Sequence, residues 1–290
     1  MKTEWNKFIK NKLTYASFAM LFIIVLCSIY TGVQAYNEEY LLGSNLYKKF
    51  PDAIALISPH SYWIGLHNPF FGEFYYFIFP LLVAFPVVDS IFKELHSGTI
   101  YYELSRTSRY SYFFKKIWFS FLSSFFLFLI PLLLGIVIFN LVTGQWDFTS
   151  YSITYNKLIN GQAILADNTY SAEEGVFTNL LTISPYLYIL TYYVIGGLYA
   201  SAYTCLGLAI SLFLKNRFLV LFMPFIVYIG CWVGFSAIGL LNWDPFNFLR
   251  AAQPVNGITY MPFIIDFILF MFFASIIYLW GARKNEDVLS

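Results

Sequence analysis

The sequence predicts an all-α, polytopic membrane protein with six transmembrane helices and both termini on the cytoplasmic side. Two observations carry most of that expectation. Six separate stretches are apolar and long enough to cross a hydrocarbon core of about 30 Å, which takes roughly 20 residues of helix. Hydrophobic residues make up 59% of the 290 residues and charged residues only 11%, well below the roughly 25% of soluble domains. A third observation orients the chain. Thirteen Lys and Arg fall in the segments on one side: Lys2, Lys7, Lys10, Lys12, Lys93, Arg106, Arg109, Lys115, Lys116, Lys215, Arg217, Arg283 and Lys284. Four fall on the other: Lys48, Lys49, Lys157 and Arg250. The positive-inside rule places the first set in the cytoplasm. One membrane domain, residues 1–290, uses nearly the whole length and leaves no room for a soluble domain of ordinary size.

The elements follow in order. Four lysines precede the first span, Leu13–Ala35. The run is too long for a signal peptide and lacks a convincing cleavage site, so it reads as a retained span, with Gly32 and Ala35 as the minor alternative. The first outer loop holds an apolar stretch, Ala53–Gly65, too short to span and suited to a helix lying at the outer surface or dipping in. The second span, Phe70–Val88, carries Pro80 and Pro86. Proline removes a backbone donor and kinks a helix, giving either a hinge or a static packed bend. The third span, Ile117–Val142, has Pro131, and the fifth, Phe218–Leu241, has Pro224. A long outer loop, Thr143–Ser184, leads to the fourth span, Pro185–Leu214. The segment Asn242–Met261 has the composition of short re-entrant helices, before the sixth span, Pro262–Trp280.

Small residues recur every fourth position in the fourth span, at Gly197, Ser201, Cys205 and Ala209, and the fifth span has Gly230 and Gly234 in a GxxxG. Such residues let helix backbones approach closely in lipid. Gly230 and Gly234 serve either a dimer seam or packing within one subunit. Glu73 and Asp266 lie near the outer ends of the second and sixth spans. They are either a substrate pathway or outer gate, or ordinary interface residues. Cys27, Cys205 and Cys231 sit on three different spans and read as packing residues, with no metal-ligand spacing. Interface belts of Tyr and Trp can absorb many of the aromatics.

The inner segment between spans two and three is the most informative. Ile91, Phe92, Leu95, Ile100 and Leu104 form an apolar stripe broken at Gly98, and Ser108 is placed to cap the helix that follows. The expectation is a short cytoplasmic amphipathic helix whose apolar face needs lipid headgroups or a partner protein. Reading Glu94, then Gly98-Thr99-Ile100, Leu104, Ser108-Arg109 and Lys115 or Lys116 in that order, the segment resembles the membrane subunits of bacterial type-2 ABC transporters. Arg106-Thr107 stands where that family often has a proline.

The resemblance implies a coupling helix docked on a separate ATPase subunit, two membrane subunits per transporter (homo- or heterodimer), and a location in the bacterial cytoplasmic membrane. It assigns partner binding to Glu94, Leu95, Gly98, Thr99, Ile100, Glu103, Leu104 and Arg109, with Leu95, Ile100 and Leu104 filling the partner's apolar cleft. ATP and Mg would belong to the partner, in keeping with the absence of a G-x-x-x-x-G-K-[ST] loop from the chain. The expected function is a permease subunit of an exporter of hydrophobic or amphipathic cargo: a peptide, an antibiotic or a lipid-like molecule. No catalytic residues, metal or nucleic-acid partner are expected. Alternatives are a membrane-anchored assembly protein and a secondary carrier, the latter weakened by the lack of a polar relay. An intramembrane enzyme lacks a nucleophile with a base.

Overall fold

A computed structural model describes residues 2–46, 57–66, 70–146, 163–164, 170–171, 175–255 and 257–284. Ten helices occur among them: α1 (Lys2–Lys10), α2 (Lys12–Leu46), α3 (Phe70–His96), α4 (Thr99–Leu104), α5 (Arg109–Thr143), α6 (Thr178–Ile183), α7 (Pro185–Ser211), α8 (Arg217–Ala237), α9 (Pro245–Phe248) and α10 (Tyr260–Lys284). Two 3-10 turns, Pro59–Tyr62 and Leu241–Trp243, and a two-residue antiparallel pairing of Ala163–Ile164 with Tyr170–Ser171 complete the described structure. Helices α2, α3, α5, α7, α8 and α10 contain the six segments long and apolar enough to cross a membrane. The chain is a multi-pass membrane protein.

Each expected span holds a long helix; those of the fourth and fifth spans stop short, at Ser211 and Ala237, and three others run well past their apolar limits. α2 continues from Ala35 to Leu46, α3 from Val88 to His96, and α5 starts eight residues before Ile117, at Arg109. Pro80, Pro86, Pro131 and Pro224 all lie inside continuous helices. The ends obey local chemistry. The Asn216 side chain accepts from the Phe218 N–H at 2.9 Å and opens α8, and Asn11 accepts from Leu13 at 3.1 Å at the start of α2. Asp244 accepts from Phe246 at 3.0 Å, with Pro245 leading α9. α5 ends on Gly144 in the left-handed region (φ 68°). Ser108 does stand at the head of α5, but its side chain makes no capping bond.

α7 is the centre of the bundle. It packs against α5, α10, α3, α8 and α6, and 78% of its spanning window is buried, against 22% for α8 and for α10. Its small residues are the reason. A Cβ on Gly196 would meet the Phe128 ring of α5 at 2.7 Å, and one on Gly207 would meet Pro224 of α8 at 2.5 Å.

Tyrosines join the helices. The hydroxyls of Tyr75, Tyr228, Tyr193 and Tyr188 donate to the carbonyls of Phe128 (2.7 Å), Tyr76 (2.8 Å), Ile64 (2.8 Å) and Ala251 (2.6 Å). A buried phenol needs a partner, and a helical carbonyl has a second lone pair to offer. Much of the aromatic content is therefore core, where the sequence suggested interface belts. Of the apolar stretch Ala53–Gly65, residues 53–56 lie outside those described. The rest is drawn into the bundle: Tyr62, Trp63 and Ile64 are buried in the main core with α2, α5 and α7. This segment dips in and is no surface helix.

Candidate functional site

The starts of α5 and α8 and the ends of α3 and α10 gather at one end of the bundle, where Asp89 near the end of α3 pairs with Arg217 of α8 and Arg109 donates to the Ala282 carbonyl of α10. This is the basic end. The segment from Glu94 to Arg109 forms an elbow here. α3 ends at His96, Gly98 turns the chain with φ 72°, and α4 runs from Thr99 to Leu104. A positive φ favours glycine because a Cβ would crowd the following carbonyl. The Thr99 hydroxyl lies 3.4 Å from the Glu94 carbonyl and 3.0 Å from the Ser97 hydroxyl, tying the two helices across the turn.

Beneath the elbow lies a charge cluster. Glu94, 8% exposed, accepts from Lys116 of α5 at 2.8 Å, from the Tyr112 hydroxyl at 2.7 Å, and from Lys7 of α1 at 3.1 Å. Lys116, itself 3% exposed, also reaches Glu4 of α1 at 2.6 Å. Lys7 further touches Glu4 and Glu103, each at 3.4 Å. Burial works against the Lys7 charge, but Glu94, Glu4 and Glu103 together hold its ammonium above the usual lysine range. α1 is kept in place by Trp5 and Phe8, whose rings meet Phe119 of α5 edge-on at 5.2 and 5.8 Å. Asp89 pairs with Lys93 and Arg217, each at 2.6 Å. The elbow is thereby linked through charges to α1 and α5, and the end of α3 before it to α8.

The expected contact residues divide into two sets. Ile100, 7% exposed, packs with Ile91, Tyr112, Phe113, Leu208 and Tyr278, and Leu104 rests against the same cluster. Of the apolar stripe, Ile91, Phe92 and Ile100 are buried against the protein's own helices. Ile100 is thereby engaged within the chain, while Leu104 keeps part of its surface. Glu94 and Arg109 are likewise committed within the chain. Leu95 lies in α3, and its side chain is outside those described. The outward set is Thr99, Glu103 and, unforeseen, Tyr102 (61% exposed), over which the Arg106 guanidinium stacks at 4.3 Å. Sequence reading missed Glu4 and Lys7 as partners of this segment, since a lysine before the first span looks like ordinary inside-positive anchoring.

The opposite end is closed by the Leu241–Gln253 segment. Arg250 bonds Glu73 at 2.8 Å and Asn247 at 3.0 Å, and stacks on Phe246 at 4.4 Å. Burial pulls Arg250 below its ordinary range against the pull of Glu73, and it pushes Asp244 up to about 6. Gln253, at φ 46°, bonds both backbone groups of Val176 and the Tyr188 hydroxyl. Glu73 is therefore an anchor of this closure. Asp266, 6% exposed on α10, has one carboxylate oxygen without a hydrogen-bond partner, and no bond joins it to Glu73.

His60 is bonded to Ser58 and edge-on to Trp63, and burial pushes it down to about 4. The outer-side bases Lys48, Lys49 and Lys157, and His67, fall outside the described residues. No cluster of three metal-ligating side chains occurs among the described residues. On α8, a Cβ on Gly230 or Gly234 would meet nothing within 4 Å, so these glycines serve no packing inside the subunit. Comparison with known protein families, with curated proteins and with solved structures finds no match to this chain.

Proposed function

We propose that this chain is the membrane subunit of an ATP-driven exporter, worked through the elbow between α3 and α5 by a separate ATPase. The observation that carries the reading is the elbow's construction. A short helix presents Thr99 and Tyr102 outward, while Ile100 packs against α3, α5, α7 and α10 and Glu103 pairs with Lys7 of α1. A push on α4 is passed to several spans at once, because packed helices and buried ion pairs shift as units. The open glycine face of α8 suits a second membrane subunit. The basic end is cytoplasmic in this reading, in the cytoplasmic membrane of a bacterium. The cargo class is hydrophobic or amphipathic, a leaning from the aromatic, mostly uncharged spans.

The test uses the chain co-purified with an ATPase encoded beside it. Tyr102→Glu places a charge at the centre of the outward face without touching the buried stripe. Loss of an exposed aromatic anchor at an interface costs about 2 kcal/mol, roughly thirtyfold in affinity. ATPase stimulation and pull-down should fall on that scale with membrane insertion unchanged. Full stimulation by Tyr102→Glu, or cargo movement by the chain alone, overturns the reading.

A further inference from the structure

We infer that Asp266 marks the binding site for a cationic group of the cargo, a protonated amine carried on an amphipathic molecule, where α7, α8 and α10 come together. The inference rests on the exporter reading for the word cargo and for nothing else. Asp266 stands six residues into α10, about 9 Å from its first residue at 1.5 Å per residue. Its side chain is buried, and among the described residues no hydrogen bond or ion pair reaches it. An unpaired carboxylate withdrawn from water is costly, so such a group within a span marks a place where a partner arrives. Tyr203 of α7 is the second sign. It is fully buried and its hydroxyl also lacks a partner, whereas those of Tyr199 and Tyr228 beside it find carbonyls. Asp266 lies near enough for its charge to act on Tyr199, Tyr203 and Cys231. One small region thus holds two buried polar groups that the chain itself does not satisfy.

The surroundings select the cation. Tyr203 lies against Phe270 at 4.9 Å and edge-on to Tyr228 at 5.4 Å, and Tyr199 lies against Phe267 at 5.8 Å. Aromatic rings around a carboxylate suit an ammonium group. It gains from the negative ring faces and has three N–H donors to share between Asp266 and the Tyr203 hydroxyl oxygen. A metal ion needs four or more ligands, and no three metal-ligating side chains gather among the described residues. Arg250 is not the partner, since Glu73 and Asn247 hold it. The way in is lateral. α7 packs against both α8 and α10, while those two make little contact with each other. Cys231, Phe267 and Phe270 stay partly exposed there. An amine head can reach inward at that place with its tail left along the lipid-facing sides of α8 and α10.

Equilibrium binding of radiolabelled decylamine to the full chain, in a neutral detergent at neutral pH, tests it, with decanol as the uncharged competitor of equal tail. The wild type should hold decylamine against an equal concentration of decanol. Asp266→Asn should weaken decylamine binding roughly thirtyfold, the scale of a hydrogen bond between charged groups. Tyr203→Phe should weaken it roughly fivefold, the scale of a single hydrogen bond. Without ligand, Asp266→Asn should unfold no earlier than the wild type, since its carboxylate has no partner to lose. Displacement by decanol as effective as by unlabelled decylamine overturns the inference, and so does unchanged binding in Asp266→Asn or in Tyr203→Phe. An Asp266→Asn protein markedly less stable than the wild type overturns it too, because the carboxylate would then be paired within the chain already. The measurement needs no ATPase, so its failure leaves the exporter reading standing, and failure of the Tyr102→Glu test leaves amine binding standing.

Discussion

Glu94 holds the elbow together because it is buried with two cations and a phenol around it. A buried carboxylate keeps its charge only where such partners replace water. Lys116 is the more deeply placed cation, and its loss leaves Glu94 with Lys7, which is partly in solvent. Lys116→Met should cost about 3 kcal/mol, the scale for breaking one side of a buried pair. The double variant Glu94→Gln/Lys116→Met should recover most of that loss. Thermal unfolding in detergent measures both, and a Lys116→Met protein as stable as the wild type refutes the ionic account. Part of this was legible in the sequence. Glu94 and Gly98 stand out by their order in the segment, and the break at Gly98 is where the helix turns. Lys7 and Glu4 do not stand out, because their partners lie 87 to 112 positions away and no local pattern encodes a pairing at that range. The cover over Ile100 is a related case. An apolar stripe shows that a face is covered, and says nothing of whether the cover is a partner or the chain itself.

At the scale of the element, spans were readable and their ends were not. Hydropathy marks the residues that need lipid or core, whereas a helix continues for as long as its backbone bonds and side-chain packing favour it. The polar first two turns of α5 are helical because Tyr112, Phe113 and Lys116 pack against α3 and α10. The glycines of α7 and α8 look alike in sequence and differ in their surroundings. Gly207 faces the rigid ring of Pro224, while Gly230 and Gly234 face open space. Gly207→Ala should therefore force α7 and α8 apart at about 1–3 kcal/mol, as overpacking does. Gly230→Leu/Gly234→Leu should leave the isolated subunit as stable as before and reduce its self-association or its pairing with a second membrane subunit. Size-exclusion chromatography with light scattering, run beside thermal unfolding, separates the two effects. A destabilised Gly230→Leu/Gly234→Leu monomer would mean that these glycines pack inside the subunit after all.

The whole molecule poses the question of which end faces the cytoplasm. The bundle gathers α1, the elbow and the starts of α5 and α8 at one end with the end of α10, and that end carries Lys7, Lys93, Lys116, Arg109, Arg217 and Arg283. At the other end the described segments hold Glu39, Glu73, Asp244 and one buried base, Arg250, which is spoken for by Glu73. Lys and Arg near span ends resist translocation, at about 2.5–3.5 kcal/mol for each one drawn through the bilayer centre. Inverting this chain would carry the elbow's bases and the lysines before α2 across together, far outweighing the cost of carrying the few bases of the opposite end. A reporter active only outside the cytoplasm, fused after Gly144, should therefore be active, and the same reporter fused after Lys284 should be silent. A single cysteine placed at Tyr102 in a background lacking Cys27, Cys205 and Cys231 should resist impermeant maleimide in intact cells and react in inverted vesicles. Labelling of that cysteine from the outside would put the elbow out of reach of any ATP-driven partner. It would also leave the packing of the bundle untouched, so the orientation can fail without the fold failing with it.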